Sequence, residues 1–196
     1  MPIVFSILIG YLVGSIPFGL LLCRLFLGID IREYGSGNIG ATNVQRTTGI
    51  ILGVSVLVLD LLKGFISAWI GFSLANETGA ILASIAAIAG HNWSVYLKFG
   101  GGKGVATTAG VALFLFPKSY IILLPLWFIV VYLTKYVSLA SIISAIAMPF
   151  AVIIFGYSLP YIIMSICAAI FAVYRHKSNI ERLRAGTESK FNLRKR

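Results

Sequence analysis

The sequence predicts an all-α integral membrane protein with seven transmembrane helices in a single domain, residues 1–196. Hydrophobic residues make up 59% of the chain and charged residues only 11%, whereas soluble domains carry about 25% charged residues. The mean hydropathy is +0.95. Polar residues are gathered between apolar runs, several of which have about the 20 residues that a helix needs to cross a bilayer. These observations exclude a soluble domain.

The apolar runs define the spans in chain order. The run at 105–134 is too long for one upright span and short for two full ones. Pro117, Lys118 and Ser119 offer a break within it, so we expect a short fourth span followed by a fifth. The predicted spans comprise residues 3–23, 50–75, 80–97, the fourth and fifth within 105–134, 138–155 and 161–174.

Positive charge orients these spans. The net charge is +10, and cytoplasmic connections of membrane proteins carry an excess of lysine and arginine. With the N-terminus outside, seven spans place all but two of the lysines and arginines on the inner face. The two exceptions are Lys63, which lies within a span, and Lys118, which lies outside. Merging the fourth and fifth spans would export the basic tail. We therefore expect an outer N-terminus and a cytoplasmic C-terminus, and we attribute the basic residues to topology rather than to nucleic-acid binding.

A few polar residues lie within or beside the spans. Asp60 and Lys63 stand one helical turn apart and can neutralise each other, which favours a structural pair facing neighbouring helices over a catalytic pair. His91 lies at the end of the third span and is interpreted as structural. Cys23 and Cys167 lie in apolar runs, so neither a disulfide nor a metal site is expected.

Residues 34–46 form the longest polar run that a span cannot explain. Three glycines let the backbone turn and approach a ligand closely. Polar side chains add hydrogen-bonding groups, and Arg46 adds a guanidinium suited to phosphate. Composition alone leaves the run open between an ordinary turn and an oxyanion cradle. Its glycines are Gly35, Gly37 and Gly40, and its polar side chains are Ser36, Asn38, Thr42 and Asn43.

The predicted topology places three further polar groups on the same side of the membrane. They are the glycine run at 100–104 with Lys103, the serines Ser138 and Ser141, and His176 with Asn179. Together with Arg46 they predict a positive pocket for one or two phosphate groups. Each has a simpler explanation: a flexible loop, a helix cap or a positive anchor. The glycine run lacks the hydroxyl residue and the spacing of a Walker loop, so it is not a nucleotide motif.

No nucleophilic triad is visible, because no serine or cysteine has the flanking pattern of a nucleophile elbow. An enzyme with this sequence therefore needs a substrate that brings its own activation. An acyl phosphate does so, since phosphate is a good leaving group. The protein then has to orient two substrates and stabilise charge.

Three ordered motifs carry a family resemblance over the whole chain. Gly-Ser-Gly-Asn-Ile-Gly-Ala-Thr-Asn occupies 35–43. Gly-His-Asn at 90–92 precedes Phe-Gly-Gly-Gly-Lys-Gly at 99–104. Arg-His-Lys-Ser-Asn-Ile-Glu-Arg-Leu at 175–183 precedes Gly-Thr-Glu at 186–188. The chain resembles the bacterial acyl-phosphate:glycerol-3-phosphate acyltransferases, the PlsY family.

The resemblance implies transfer of a fatty acyl group from acyl phosphate to the first hydroxyl of sn-glycerol 3-phosphate, giving lysophosphatidic acid and phosphate. It implies seven spans, a site on the cytoplasmic face of the bacterial inner membrane, no cofactor, and functional coupling to the enzyme that makes acyl phosphate. Glu188 matches a structural position that pins the tail. The catalytic residues implied are Ser36, Arg46, Lys103, His176 and Asn179. The substrate-binding residues implied are Gly37, Asn38, Gly40, Thr42, Asn43, Gly101, Gly102, Gly104 and Ser141.

In the mechanism that we expect, Arg46, Lys103 and His176 hold two phosphates in one pocket, and loop N–H groups bind oxyanions. The hydroxyl proton passes to a substrate phosphate or to His176. The alternative function is a small-anion transporter, for which glycine-rich broken spans would face a substrate at the midplane. The glycines gather on one side instead, which favours the enzyme. A purely structural membrane protein would leave the three polar loops unexplained.

Overall fold

The computed structural model describes residues 1–191, and within them helices alternate with short connections and no β-strand occurs. The helices divide into two compact units. The first comprises Met1–Val111 and the second begins at Ala112. The predicted all-helical class is confirmed over this part of the chain.

The first unit begins with a broken apolar segment. The sequence predicted one uninterrupted span at 3–23, but the structure has two helices, α1 (Pro2–Ser15) and α2 (Phe18–Leu27). The break falls at Ile16 and Pro17, because proline has no N–H to continue the helical hydrogen bonds. The two helices together still form an apolar segment of 26 residues.

Two more helices complete most of this unit. The short α3 (Ala41–Thr48) precedes the long α4 (Ile50–Asn92). The backbone of α4 leaves the helical region at Ala75 (φ −147°, ψ 33°) and Asn76 (φ 52°, ψ −145°). A Cβ on Gly71 would overlap the carbonyl oxygen of Gly79, and the reverse also holds. The two halves of α4 therefore fold back on each other as a hairpin, with the bend where the sequence predicted a turn.

Small residues allow the helices of the first unit to pack closely. Gly10 and Gly14 of α1 lie against the backbone of Ala83 and Ala87 in the second half of α4. Against the first half of α4 lies the start of α5 (Val105–Leu115), where Gly64 abuts the backbone of Thr107. Close approach through small residues is typical of membrane helices, because apolar side chains gain little by leaving lipid.

The second unit contains the end of α5 and four further helices. A 3₁₀ turn at Pro117–Ser119 follows α5, so the predicted break in the run at 105–134 is confirmed. The last two helices are bent by 57° relative to each other. These helices are α6 (Tyr120–Thr134), α7 (Val137–Ile154), α8 (Leu159–Arg175) and α9 (Lys177–Arg184).

Four helical segments among residues 1–191 are individually long and apolar enough to cross a membrane, and the bent pair α8–α9 makes a fifth. One of the four is the 48-residue segment that contains α4. As a straight helix it would extend about 72 Å, more than twice the hydrocarbon thickness. By contrast, the 11 residues of α5 extend only about 17 Å.

Candidate active site

The buried amide of Asn43 organises the loop at 34–46 in the first unit. Asn43 is 3% exposed. Its Oδ1 accepts the N–H of Ser36 at 2.8 Å. Its Nδ2 donates to the carbonyl oxygens of Ile31 at 3.4 Å, Tyr34 at 3.0 Å and Asn38 at 2.8 Å. These contacts make Asn43 a brace of the loop, and its contact with substrate stays a prediction.

Two of the glycine N–H groups expected to bind oxyanions act within the loop instead. The N–H of Gly37 donates to the carbonyl of Tyr34 at 3.0 Å. The N–H of Gly40 donates to Oδ1 of Asn38 at 2.8 Å. In this conformation these two N–H groups shape the loop and are not directed at a ligand.

Helix α3 begins directly after Gly40 and carries the polar groups nearest the loop. Thr42 and Arg46 are four residues apart and share one face of the helix, and both are half-buried. Asn43 points from the buried face, and Ser36 is exposed in the loop. The local fold thus separates the residues that brace the loop from those that can meet a ligand.

The segment before the loop holds its carboxylate between two arginines. Asp30 Oδ2 lies 2.7 Å from Arg24 Nη2 and 2.6 Å from Arg32 Nη2. The hydrogen bonds from Arg32, joined by those from Arg24, outweigh the effect of burial and hold the pKa of the Asp30 carboxyl well below its usual range. The carboxylate is therefore charged and paired with Arg24 and Arg32 at neutral pH.

The second glycine loop of this unit follows the end of α4. The N–H of Gly102 donates to the carbonyl of His91 at 3.0 Å. A Cβ on Gly101 would overlap the His91 carbonyl oxygen, and one on Gly102 would overlap the His91 ring. Packing is therefore a sufficient reason for glycine at both positions, and their contact with substrate stays a prediction. Half-buried Lys103 comes next, just before α5 begins.

Asp60, Lys63 and His91 lie close together near this loop. The sequence analysis treated the pair Asp60 and Lys63 separately from His91. Lys63 Nζ lies 2.8 Å from Asp60 Oδ1, and His91 Nδ1 lies 3.7 Å from the same oxygen. The interpretation of Asp60 and Lys63 as an ion pair is confirmed. The sequence did not predict that His91 would lie beside this pair. Two charges one turn apart in an apolar span were a visible signal, whereas the third member comes from the other half of the hairpin.

In the second unit, His176 lies at the junction of α8 and α9 and is 2% exposed. Its Nδ1 lies 2.7 Å from the carbonyl oxygen of Ala172. Because a carbonyl can only accept, this hydrogen bond places the proton on Nδ1. The neutral ring then keeps a lone pair on Nε2, the arrangement that a base or a hydrogen-bond acceptor requires.

Glu188 joins three elements of the second unit. Its Oε1 accepts from Ser138 Oγ at 2.6 Å and from Asn179 Nδ2 at 2.7 Å, and its Oε2 accepts from Arg182 Nε at 2.7 Å. Burial raises the pKa of the Glu188 carboxyl, but these three hydrogen bonds outweigh it and set the pKa below its ordinary value. The carboxylate thus ties the start of α7 and helix α9 to the segment that follows α9.

These contacts change the interpretation of three polar side chains. Ser138 lies inside α7, which has no side-chain cap, so the capping interpretation is wrong for it. The other face of the Asn179 amide, Oδ1, is buried and accepts no hydrogen bond from the described residues. Ser141 donates to the Val137 carbonyl at 2.9 Å and accepts from Trp127 Nε1 at 3.3 Å. Contacts of Ser141 and Asn179 with substrate stay predictions.

The predicted site residues therefore fall into two groups. The first unit contains Ser36, Arg46 and Lys103, and the second contains His176 and Asn179. The assembly of both groups into one two-phosphate pocket stays a prediction.

A family model described as glycerol-3-phosphate acyltransferase matches residues 4–186. The chain belongs to this family. It is 43% identical to the glycerol-3-phosphate acyltransferase of Carboxydothermus hydrogenoformans, with 98% of each chain covered. It is 46% identical to that of Fusobacterium nucleatum, over 95% of this chain and 97% of the relative.

Two solved structures share the fold. A crystal structure of PlsY (YgiH), an integral membrane glycerol 3-phosphate acyltransferase in its glycerol 3-phosphate form, has a TM-score of 0.93 and 38% identity, covering 98% of this chain and 96% of that one. Its lysophosphatidic acid form has a TM-score of 0.91 and 37% identity, covering 98% and 97%. The resemblance and the integral membrane fold are confirmed, and an acyltransferase is favoured over the anion transporter.

Proposed function

We propose that this chain transfers a fatty acyl group from acyl phosphate to the sn-1 hydroxyl of glycerol 3-phosphate, in the first step of phospholipid synthesis. The hydroxyl oxygen attacks the acyl carbonyl carbon and forms the ester bond. The bond from that carbon to the phosphate oxygen breaks, and inorganic phosphate leaves. The hydroxyl proton passes to a phosphate oxygen or to His176, so the products are lysophosphatidic acid and phosphate.

One observation carries this proposal. Nearly the full chain matches one acyltransferase in both its glycerol 3-phosphate form and its lysophosphatidic acid form. An acceptor and a product that differ by one acyl group define the bond that is made. The donor is inferred from the PlsY family, whose motifs the chain contains, and from the absence of a nucleophile elbow in the sequence.

Residues of the first unit supply positive charge. Arg46 carries a planar guanidinium on α3, the helix that follows the braced loop, and Lys103 carries an ammonium just before α5 begins. Phosphate oxygens bind both types of cation, and arginine can bind two of them at once. We assign to these two side chains the substrate phosphates and the charge that develops on the leaving phosphate.

Residues of the second unit supply hydrogen-bond acceptors. His176 keeps Nε2 as an acceptor through its hydrogen bond to Ala172. Asn179 is oriented by Glu188 through Nδ2, which leaves Oδ1 to accept. A buried acceptor without a donor is costly, and a substrate hydroxyl would supply one. We assign to both side chains the orientation of the attacking hydroxyl.

We also propose a topology. The breaks at Pro17, Ala75–Asn76 and Pro117–Ser119, with α7 and α8, fit seven spans in which α5 forms the short fourth. The N-terminus is outside, and the polar loops face the cytoplasm of a bacterial inner membrane. A donor made in the cytoplasm would reach that face directly, which supports functional coupling to the enzyme that makes acyl phosphate.

Purified protein in detergent tests the reaction. Radiolabelled glycerol 3-phosphate and palmitoyl phosphate should yield lysophosphatidic acid and equimolar phosphate. Palmitoyl-CoA and palmitoylated acyl carrier protein, offered separately, should yield none. Product from either thioester at a comparable rate would overturn the assignment of the donor. No product from palmitoyl phosphate, with the protein shown to be folded by its thermal unfolding transition, would overturn the proposed function.

A further inference from the structure

A buried charge cluster, defined here as Asp60, Lys63 and His91, lies beneath the second glycine loop of the first unit. The three residues are only 2%, 3% and 3% exposed. Burying an ion away from water costs several kcal/mol unless it is paired, so a cluster retained in an apolar helix is a candidate for function. None of the three residues has a role in the reaction as assigned above.

Lys63 has a structural task that needs no reaction. Its Nζ donates to the carbonyl of Ile16 at 2.8 Å. That carbonyl lies at the break between α1 and α2, where Pro17 interrupts the helical hydrogen bonds. The ammonium also lies 5.7 Å from the centre of the Phe18 ring. Lys63 thus fixes the break, and Asp60 at 2.8 Å balances its charge.

His91 connects the cluster to the loop. One side of its ring, Nδ1, lies 3.7 Å from Asp60 Oδ1. The other side, Nε2, lies so close to Gly102 that a Cβ there would overlap it. The carbonyl of His91 accepts the Gly102 N–H at 3.0 Å. Gly102 is therefore held by both the ring and the backbone of a single residue, and Lys103 is its direct neighbour.

We propose that His91 is a positioning residue that sets the path of the loop at 100–104 and so the place of the Lys103 ammonium. The proposal rests on the proposed function, in which Lys103 binds a substrate phosphate. His91 itself does not touch substrate. Its effect reaches the reaction through the Gly102 backbone, and the substrate concerned is glycerol 3-phosphate, the smaller of the two, which has no acyl chain to anchor it.

A role confined to folding predicts a different outcome from a positioning role. Loss of stability alone lowers the amount of active enzyme and leaves the KM of the remainder unchanged. A displaced loop raises the KM and the Kd for glycerol 3-phosphate in protein that is folded. Displacement of a binding group by about 1 Å can cost up to about a hundredfold.

The test compares three variants in detergent by steady-state kinetics and by calorimetric titration with glycerol 3-phosphate. In His91→Ala we expect the KM and the Kd for glycerol 3-phosphate to rise about tenfold, while the KM for palmitoyl phosphate stays within about twofold. Ser84→Ala is the matched control. Ser84 is also fully buried in the second half of α4, and its hydroxyl donates to the Ala80 carbonyl, at 2.6 Å, within the same helix. Its KM should be unchanged.

Gly102→Ala tests the same contact from the loop side and leaves the charge cluster intact, so it serves if His91→Ala does not fold. We expect its KM for glycerol 3-phosphate also to rise about tenfold. In the double variant the methyl group occupies the space left by the imidazole. Its KM should therefore lie well below the product of the two single effects, because the residues act through one contact.

Two results overturn the proposal. One is a folded His91→Ala with the wild-type Kd for glycerol 3-phosphate, and the other is a double variant whose effects multiply independently. Failure of the proposed function looks different: wild-type protein forms no lysophosphatidic acid. The titrations remain informative in that case, because they measure glycerol 3-phosphate binding without turnover.

Discussion

Arg46 stands one helical turn after Thr42 on α3, the same helix that carries buried Asn43, on which the hydrogen bonds of the preceding loop converge. A guanidinium on such a support can offer two N–H groups to one phosphate in a fixed plane. Lysine at the same position would keep the charge but lose that geometry. Comparison of arginine and lysine at this position therefore separates the effect of charge on phosphate binding from the effect of orientation.

We expect Arg46→Ala to lower kcat/KM about 10² to 10³-fold, the usual cost of losing one group that stabilises developing charge. Arg46→Lys should recover part of this loss through its charge. Arg24→Ala is the control, since Arg24 is exposed and Asp30 keeps its pairing with Arg32. Steady-state kinetics on the three variants measure the effect. Equal activity of Arg46→Ala and Arg24→Ala would remove Arg46 from the site.

His176 carries the second prediction at the scale of one residue. Its hydrogen bond to Ala172 fixes the tautomer with Nε2 as acceptor, so we expect His176→Ala to lower kcat about 10² to 10⁴-fold, the range for loss of a general base. The part of the pH dependence of kcat that comes from protonation of this imidazole should disappear as well. A pH–rate profile of the variant measures both.

The alternative acceptor gives a distinct profile. If the proton passes to a substrate phosphate, whose second pKa is about 6, then His176→Ala keeps a substantial fraction of activity and the same pH dependence. That outcome would make His176 a residue that orients the hydroxyl. His176→Gln provides a further control, because its amide oxygen can accept a hydrogen bond but cannot take a proton at these pH values.

At the scale of elements, Glu188 connects α9 to the start of α7 through Ser138, Asn179 and Arg182. Glu188→Ala leaves two buried donors without an acceptor. We expect it to destabilise the second unit by about 2 kcal/mol at pH 7. Glu181→Ala, at an exposed carboxylate on α9, should change stability by no more than about 0.5 kcal/mol. Thermal unfolding in detergent compares the two variants, and equal midpoints would contradict the connection.

The same carboxylate predicts a pH dependence. Because the folded pKa of Glu188 lies below its ordinary value, its contribution to stability is fully present above the unfolded pKa of about 4.3. It is lost as the pH falls through the lower folded pKa. The difference in midpoint between wild type and Glu188→Ala should therefore narrow below about pH 4. A difference that stays constant down to pH 3 would assign the effect to packing.

Elements and their breaks were largely predictable, because apolar length and proline act locally. The breaks at Ala75–Asn76 and at Pro117–Ser119 lie where the sequence placed them. The break before α2 was missed because Pro17 lies inside an apolar run long enough for one span. The proline itself indicated a break in the helix. Helix α9 was described only as a polar tail, since eight residues with three arginine or lysine charges show no span pattern.

At the scale of the whole molecule, the site was predictable in its residue types and not in its contacts. Glycine runs near cations indicate an anion site wherever they occur. That His91 meets Gly102, or that Asn43 braces Ser36, depends on the path of the irregular backbone between the two residues. Such contacts follow from the turn after α4 and the turn before α3, which helical periodicity does not predict.

The remaining prediction at this scale is the topology, which depends on whether α5 crosses the membrane. As a helix of 11 residues, α5 is only about 17 Å long, whereas the hydrocarbon core is roughly 30 Å thick. If α5 is the fourth span, Lys118 lies outside and the basic tail inside. Single cysteines at exposed Glu77, Lys98, Lys118 and Lys177, introduced into a Cys23→Ser, Cys167→Ser background, separate the alternatives in intact cells.

An impermeant maleimide should label Glu77→Cys and Lys118→Cys in intact cells, and Lys98→Cys and Lys177→Cys only after permeabilisation. Labelling of Lys118→Cys only after permeabilisation, with Glu77→Cys labelled from outside, would mean that α5 does not cross. The tail would then emerge outside with its arginines and lysines, against the positive-inside rule. Reversal of all four positions would keep seven spans and invert the protein, which would move the proposed reaction away from the cytoplasmic supply of acyl phosphate.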